Sequence, residues 1–573
     1  MKLPRRHAVK ACRRFSLCPA GGMPSACHQD SEYLRISLAA YPLRKSMFAI
    51  FRLLAFFSFL VILVAPSFAE PAVNTFDILE YEVEGNSVLT ELDVESAVYP
   101  HLGPALSFDD VEAARAALEK RYQDAGYLSV AVAIPEQKVK DGVVRLQVVE
   151  GEVEKLKVSG NQYNARSEIR EQVPELAPGQ VPHFPTMQAQ LAELGRSQDM
   201  RATPLLRPGK LPGKLEVELA VEDQLPFHGS IEYNNKQSPD TTNRRLEASL
   251  RYDNLFQRQH SLGLNYTTSP EKSSEVKTLA TSYTVPLSKG RSLAFTWLHS
   301  DSNIASAGDT TVLGKGDTYG FRATFPLPGL SGSSFFHSLA AGFDVKDFKE
   351  TQNILGADQK VSPIRYTPFT LQYTAGSLDE TGDIIGNLSW VSGFRGSSEH
   401  LVDCQGFQVD QFSCRRAGAQ ANFAYLRGDV TYSHRVLGWE GSVRADFQAT
   451  GAPLISNEQF LAGGMDSVRG YLEAEAAGDY GWRLRTEVKT PSVLDLDSAT
   501  LRGVAFFDAA WLGLQDPLAG QTASFKLMGS GLGLRLVAAK NYQLSADWAH
   551  AMLAGPRTPK GENRIHVRLG ATF

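Results

Sequence analysis

From Leu225 to Phe573 the chain carries little besides short segments in which apolar and polar residues alternate with period two. In LEASLRYD, Leu246, Ala248, Leu250 and Tyr252 fall on one face, and Arg245, Glu247, Ser249, Arg251 and Asp253 on the other. Leu262 to Tyr266, Val443 to Phe447 and Ile565 to Phe573 repeat the pattern, and roughly sixteen such segments can be counted. Their connections alternate in length. FQRQ, LSKG and AKN are short, whereas SNIASAGDTTVLGKGD, the Cys404 to Cys414 stretch and AGPRTPKGE are long and polar. A soluble sandwich would have to bury one face of every strand beside heavily charged opposite faces. A closed barrel in lipid accommodates both, apolar residues outward and charges in a wet lumen, and it satisfies every strand's backbone groups. The expectation is a mainly β chain with a 16-stranded transmembrane β-barrel over 225–573. Its last strand turns Ile565, Val567, Leu569 and Ala571 outward and ends in Phe573.

One segment has the apolarity of a buried helix. Leu53 to Val64 follows Arg44, Lys45 and Arg52 and ends in Ser67-Phe68-Ala69, small residues where a signal peptidase reads. At this length it spans a bilayer poorly, so residues 1–69 are expected to be an N-terminal extension and a signal peptide cleaved after Ala69, with Met47 a possible true start and an uncleaved anchor helix as the competing reading. Cys12, Cys18 and Cys27 lie in that leader. The exported part keeps only Cys404 and Cys414, an even pair close in sequence, which points to a loop disulfide. No histidine pair lies nearby at ligand spacing and the twelve histidines are scattered, so no metal site is expected. No GxxxxGK[ST], GxSxG or HExxH is present. No catalytic residue, cofactor or nucleic-acid partner is expected.

Between the leader and the barrel, two stretches mix strand and helix patterns. In 76–151, FDILEYEVEGN reads as a strand. SFDDVEAARAALEKRYQDAGY reads as a helix capped by Ser107 and Asp110, with Val111, Ala114, Leu118 and Tyr122 on one stripe and Gly126 as its stop. LSVAVAIPEQ and VVRLQVVEG resume alternation. Residues 152–224 repeat the plan: VSGN at Val158 to Asn161 echoes VEGN at Val83 to Asn86, a helix follows near Met187 to Leu194, and Leu215, Val217, Leu219 and Val221 close a strand. Two copies of a strand-helix-helix-strand-strand unit, each a small α+β domain with one layer of helices on one sheet, are expected.

In MDSVRGYLEAEAAGDYGWRLRTEV one arginine, Arg469, sits among small and acidic residues ahead of the strand-like segment, in the sixth long loop, between strands eleven and twelve. On strand thirteen, TLRGVAFFDAAWL, alternation puts Arg502, Val504, Phe506, Asp508 and Ala510 on the lumen face, because charge facing lipid is costly. A loop folded into the lumen needs a tether, and a guanidinium on a fixed carboxylate provides one. Gly470 lets the backbone turn there. Asp508 as one lumen charge among many stays open as an alternative.

VRGY, then GDYGWRLRTEV, then FFD on the next strand resemble the barrel motifs of two-partner secretion transporters of the ShlB/FhaC/HecB haemolysin secretion and activation type, a branch of the BamA superfamily. The resemblance covers nearly the whole mature chain and implies two POTRA-like domains in the periplasm ahead of a Gram-negative outer-membrane barrel. It makes Val468, Arg469, Gly470 and Tyr471 the tip tetrad of an inward-folded loop, 452–479, and Phe506 and Asp508 the wall motif that receives it. Ala510 departs from the family's usual glycine. Some members carry a plug helix ahead of the first repeat. Cleavage after Ala69 leaves EPAVNT, so no plug is expected and the inward loop would restrict the pore alone. The implied partners are a large exoprotein cargo such as an adhesin or haemolysin, which the transporter secretes and activates, and outer-membrane lipid. Barrel assembly machinery, engaged through Phe573, and periplasmic chaperones would act during biogenesis. The alternative within the superfamily is an assembly factor that inserts other barrels; a passive porin leaves the repeats and VRGY unexplained.

Overall fold

The VEGN and VSGN echoes mark the same corner in two domains. Gly85 and Gly160 both adopt left-handed backbone, φ +87 and +86, and a Cβ on either would lie 2.4 Å from Val148 O or 2.3 Å from Val221 O. Only glycine lets the strand turn that close to the domain's closing strand. The structure, a computed structural model, describes residues 75–573 apart from 303, 308–309, 331–332, 351–352, 355–356, 359–361 and 405. The leader, its signal peptide, Met47 and the three leader cysteines lie outside the described residues.

In the first domain Glu80–Glu84 runs parallel to Val143–Glu150, which pairs antiparallel with Val130–Ala133. In the second, Glu152–Ser159 runs parallel to Lys214–Asp223, which pairs antiparallel with Met200–Pro208. Helix Phe108–Asp124 buries Val111, Ala114, Leu118 and Tyr122 on the first sheet, and Asp110 accepts the Ser107 backbone N–H at 2.8 Å. One detail differs from the sequence pattern: FDILEYEVEGN breaks at Leu79, because Phe76–Ile78 leaves to pair with Gly103–Leu106. The second domain holds two helices, Arg166–Glu171 and Phe184–Leu194, as the repeated plan has it; the first has six residues, too few to show a period by itself.

Eighteen segments close into one antiparallel barrel of sixteen strands, because two strands are interrupted at Pro368 and at Pro491. Strand 1 is Phe227–Asn234, strand 2 Arg245–Leu255, strand 7 Phe335–Glu350, and strand 8 Ser362–Tyr366 with Phe369–Leu378. Strands 9 to 11 are Gly382–Ser392, Ala424–Val436 and Trp439–Ala449. Strand 12 starts with Tyr480–Lys489, and strands 13 to 16 are Ala499–Gly513, Ser524–Ala538, Tyr542–Ala551 and Asn563–Thr572. Outward residues pair across strands as apolar neighbours, Leu250 with Leu264 and Phe321 with Phe343, a surface only lipid covers. Strand 16 closes on strand 1 from Arg568↔Asn234 to Thr572↔Ser230. Phe573 extends the seam by exchanging backbone hydrogen bonds with Gly229, both 2.9 Å. Where strand 1 stops, the Asn235 side chain substitutes for it, accepting the Val567 N–H at 2.8 Å and donating to Ile565 O at 2.7 Å.

The second periplasmic domain docks on the barrel's periplasmic rim. Gln257, in the first short turn, accepts the Ala165 N–H at 2.8 Å and donates to Tyr163 O at 3.1 Å. His228 Nε2 lies 3.0 Å from Asp199 of that domain and 3.5 Å from Asp253 of strand 2.

Candidate functional site: the loop latched inside the barrel

The connection between strands 11 and 12, residues 450–479, folds back into the lumen as a hairpin, with Phe460–Ala462 antiparallel to Ala476–Gly478. At its tip Gly463 and Gly464, φ +110 and +107, turn the chain, and the Val468 carbonyl accepts the Gly464 N–H at 3.1 Å. The next residue is Arg469.

Arg469 is wholly buried, as is Asp508 on the strand 13 wall. Its Nε and Nη2 donate to Asp508 Oδ2 and Oδ1 at 2.6 and 2.8 Å, and its backbone N–H donates to the same carboxylate at 3.1 Å. The guanidinium carbon stands 3.5 Å over the centre of the Phe506 ring, a cation–π arrangement in a dry site. Nη1 also reaches Glu487 of strand 12, and Asp547 of strand 15 at 3.4 Å. Arg535 pairs with Asp547 and lies 3.6 Å from Glu487, as does Arg485. Three guanidinium groups therefore meet three carboxylates, and the cluster balances its charge, which is what makes so many buried ions tolerable. One arginine of the loop joins three wall strands.

The rest of the tetrad shapes the approach. Gly470, φ +97, donates its N–H to His566 Nε2 at 3.0 Å, and a Cβ there would press within 3.3 Å of Ala551 N. On the wall, a Cβ at Gly529 would lie 2.0 Å from Arg469 O, so the small residues of MGSGLGLRL on strand 14 make room for the tip. Tyr471 accepts the Met528 N–H at 3.1 Å, and its hydroxyl lies 2.8 Å from Leu553 O. Val468 packs with Phe460, Tyr471, Leu512 and Leu527, and Ala510 belongs to the same apolar cluster. Further along, Glu475 ties the loop to the eighth long loop, accepting N–H bonds from Arg557 and Thr558 at 2.8 and 2.6 Å.

Cys404 and Cys414 are bonded to each other in the fifth long loop, residues 393–423. Phe573 sits at the seam, its ring tilted on Phe227. Sequence reasoning missed Glu487 and Asp547 as partners of Arg469. Their parity marks both as inward, but only the closed barrel brings strands 12, 13 and 15 around one point.

A closed sixteen-stranded barrel with its sixth loop pinned inside and two α+β domains on its periplasmic rim defines an outer-membrane transporter. The chain belongs to the haemolysin secretion/activation family ShlB/FhaC/HecB, whose model matches residues 213–536, and a ShlB-type POTRA domain matches 76–151. The family's members are two-partner secretion transporters of the outer membrane, with POTRA domains in the periplasm. The chain is similar to the outer membrane transporter CdiB of Dickeya dadantii (strain 3937), 23% identical over 34% of this chain and 35% of that protein. To CdiB of Escherichia coli it is 23% identical over 80% of this chain and 76% of that protein. The solved structure of CdiB from Escherichia coli shares the fold, with a TM-score of 0.60 at 19% identity, over 89% of this chain and 92% of that one.

Proposed function

We propose that the chain secretes one large exoprotein, an adhesin or haemolysin, in unfolded form, and activates it in doing so. The periplasmic domains, 76–151 and 152–224, take up the cargo as an added strand or in an apolar groove, and the barrel conducts it. No reaction is assigned to the chain and no cofactor enters the scheme. Folding of the cargo outside biases each step outward. Outer-membrane lipid covers the apolar band, and the assembly machinery, with periplasmic chaperones, inserts the barrel through its last strand and Phe573. The Arg469 cluster is the device that holds loop 6 against the wall while cargo passes.

The observation that carries this reading is the lumen itself: a polar conduit occupied by the chain's own loop and held by one charge-balanced latch, next to periplasmic domains of the POTRA plan. The test compares a deletion with its parent by quantitative mass spectrometry of medium, cell surface and outer membrane. Loss of one large protein from outside, with other barrels unchanged, is expected. A broad fall in many outer-membrane barrels would mean an assembly factor and overturn the proposal.

A further inference from the structure

The Arg469 latch occupies the lumen wall of strands 12 to 15. The opposite half of the lumen holds a polar cavity of about 550 Å³, lined by inward residues that include Arg322, Asp344, Lys346, Gln372 and Arg427. Loop 6 does not fill this space; from its root it sends Asn457 and Glu458 to the cavity's edge. The expectation that loop 6 restricts the pore alone therefore does not hold, and the closure over this cavity has another origin.

At the extracellular ends of strands 7 to 10 an apolar core crosses the mouth of an otherwise polar lumen. Phe348 and Tyr366 enter it from the wall, Phe412 and Phe423 from loop 5, and Leu454 and Ile455 from the root of loop 6, all at 3% exposure or less. Phe348 and Tyr425 line both this core and the cavity beneath it, so the core is the cavity's roof. Lipid contact does not explain it, because these side chains are buried and face inward. Sealing does: an apolar layer excludes water and ions at small cost where a polar one would conduct.

Polar clamps hold the roof at both sides. Glu458 accepts from Lys346 Nζ at 2.6 Å and from the hydroxyls of Tyr366 and Tyr425 at 2.5 and 2.8 Å. Arg416 of loop 5 forks onto both oxygens of the fully buried Asp479, the last residue of loop 6, and donates to Leu454 O at 2.6 Å and Gln515 O at 2.9 Å. The Cys404–Cys414 bond closes loop 5 just before this arginine. Arg416 thus fastens loop 5 to loops 6 and 7 together, and Arg415 adds a bond from loop 5 to Asn457 of loop 6 at 3.2 Å.

We infer that loop 5 is the outer gate of the conducting half of the lumen, and that Arg416 on Asp479 is its fastening. Opening for cargo separates these two groups, while the Arg469 latch on the opposite wall stays closed. The inference rests on the transporter reading, but ion current needs no cargo, so the two fail separately.

The test is ionic current through the purified full-length protein in planar lipid bilayers, at equal insertion checked by the heat-modifiable mobility of the folded barrel. Arg416→Ala is expected to raise open probability at least about tenfold, as loss of a bidentate charge-assisted pair would. Arg416→Lys, which keeps a charge but not the fork, should fall between. Arg395→Ala removes an exposed loop 5 arginine whose side chain donates to Gln420 of the same loop at 3.3 Å, and should leave current unchanged. Should Arg416→Ala not insert, the lysine variant decides alone: current above the parent supports the gate. Folded Arg416 variants at parental current would overturn it.

Discussion

Replacing Arg469 by alanine should free the tip of loop 6 from the wall without unfolding the barrel. Asp508 is fully buried, and among the described residues its charged partner is Arg469; the change leaves it the backbone N–H of residue 469. Glu487 and Asp547 fare better, because Arg535 and Arg485 remain within reach. Removing one partner of a buried pair costs about 3–5 kcal/mol, and the stack on Phe506 adds to the loss. That lowers the ratio of docked to released tip by a factor of about 10² to 10⁴. The barrel's own ladders do not involve Arg469, so insertion should survive. Ser467→Cys, nearly buried in the tip turn, reports the release through a membrane-impermeant maleimide, and the bonded Cys404 and Cys414 do not compete. Labelling should accelerate at least about 100-fold in Arg469→Ala, and cargo in the medium should fall. Arg469→Lys should lie between, since an ammonium cannot fork onto Asp508 and reach Glu487 at once. Secretion at parental level, or labelling that does not accelerate, would refute the latch.

Three further outcomes follow from single contacts. Gly160→Ala should destabilise the second periplasmic domain by more than about 1 kcal/mol, since φ is +86 and the methyl would meet Val221 O; trypsin should cut that domain faster while the barrel core resists. Glu473, in loop 6 and outside the strands, has its carboxyl pushed up to about 7 by burial and then by Asp466, against the lowering effect of the Met465 N–H, Lys236 and Arg568; Arg245 faces the same site. A raised carboxyl binds its proton more tightly in the folded state, so stability falls as pH climbs from about 4.5 to about 7. Glu473→Gln should therefore gain melting temperature over the parent at pH 8 and little at pH 5. For the cysteines, the intact loop peptide spanning 404–414 should gain two mass units on reduction, and an unchanged mass would exclude the bond.

The barrel was legible because its determinants are local. Period-two alternation, turn length and an apolar outward face each sit within about ten residues, and a closed sheet is the one arrangement that uses all of them. The repeated domains were legible through VEGN and VSGN, since a glycine whose Cβ would lie 2.4 Å (Gly85) or 2.3 Å (Gly160) from a carbonyl oxygen leaves a trace in sequence. The six-residue helix Arg166–Glu171 left none of its own. Alternation put Asp508 on the lumen face and so within the choice of partners for Arg469, but with 39 positions between them no periodicity spans the loop, and only the resemblance singled that carboxylate out. Glu487, Asp547 and the Glu458 and Asp479 clamps were illegible for a stronger reason. Each is an acidic residue among 63, and its role depends on which strands meet across the lumen.

The two fastenings divide the lumen unequally, and their chemistry matches the division. The Arg469 cluster is charge-balanced and tied to three strands, and releasing it would take from the fully buried Asp508 both the guanidinium and the backbone N–H that hold it; such a site favours one fixed geometry. The roof is held differently. Its apolar core carries no charge, and the one ion pair to be parted is Arg416 on the buried Asp479, which still accepts the N–H groups of Leu454 and Gln515 at 3.1 and 2.7 Å. A transporter that must open for a chain yet remain sealed between passages needs one wall that stays and one that yields. By the cost of separating their charges, loop 6 at its tip is the wall that stays, and loop 5 is the one that yields.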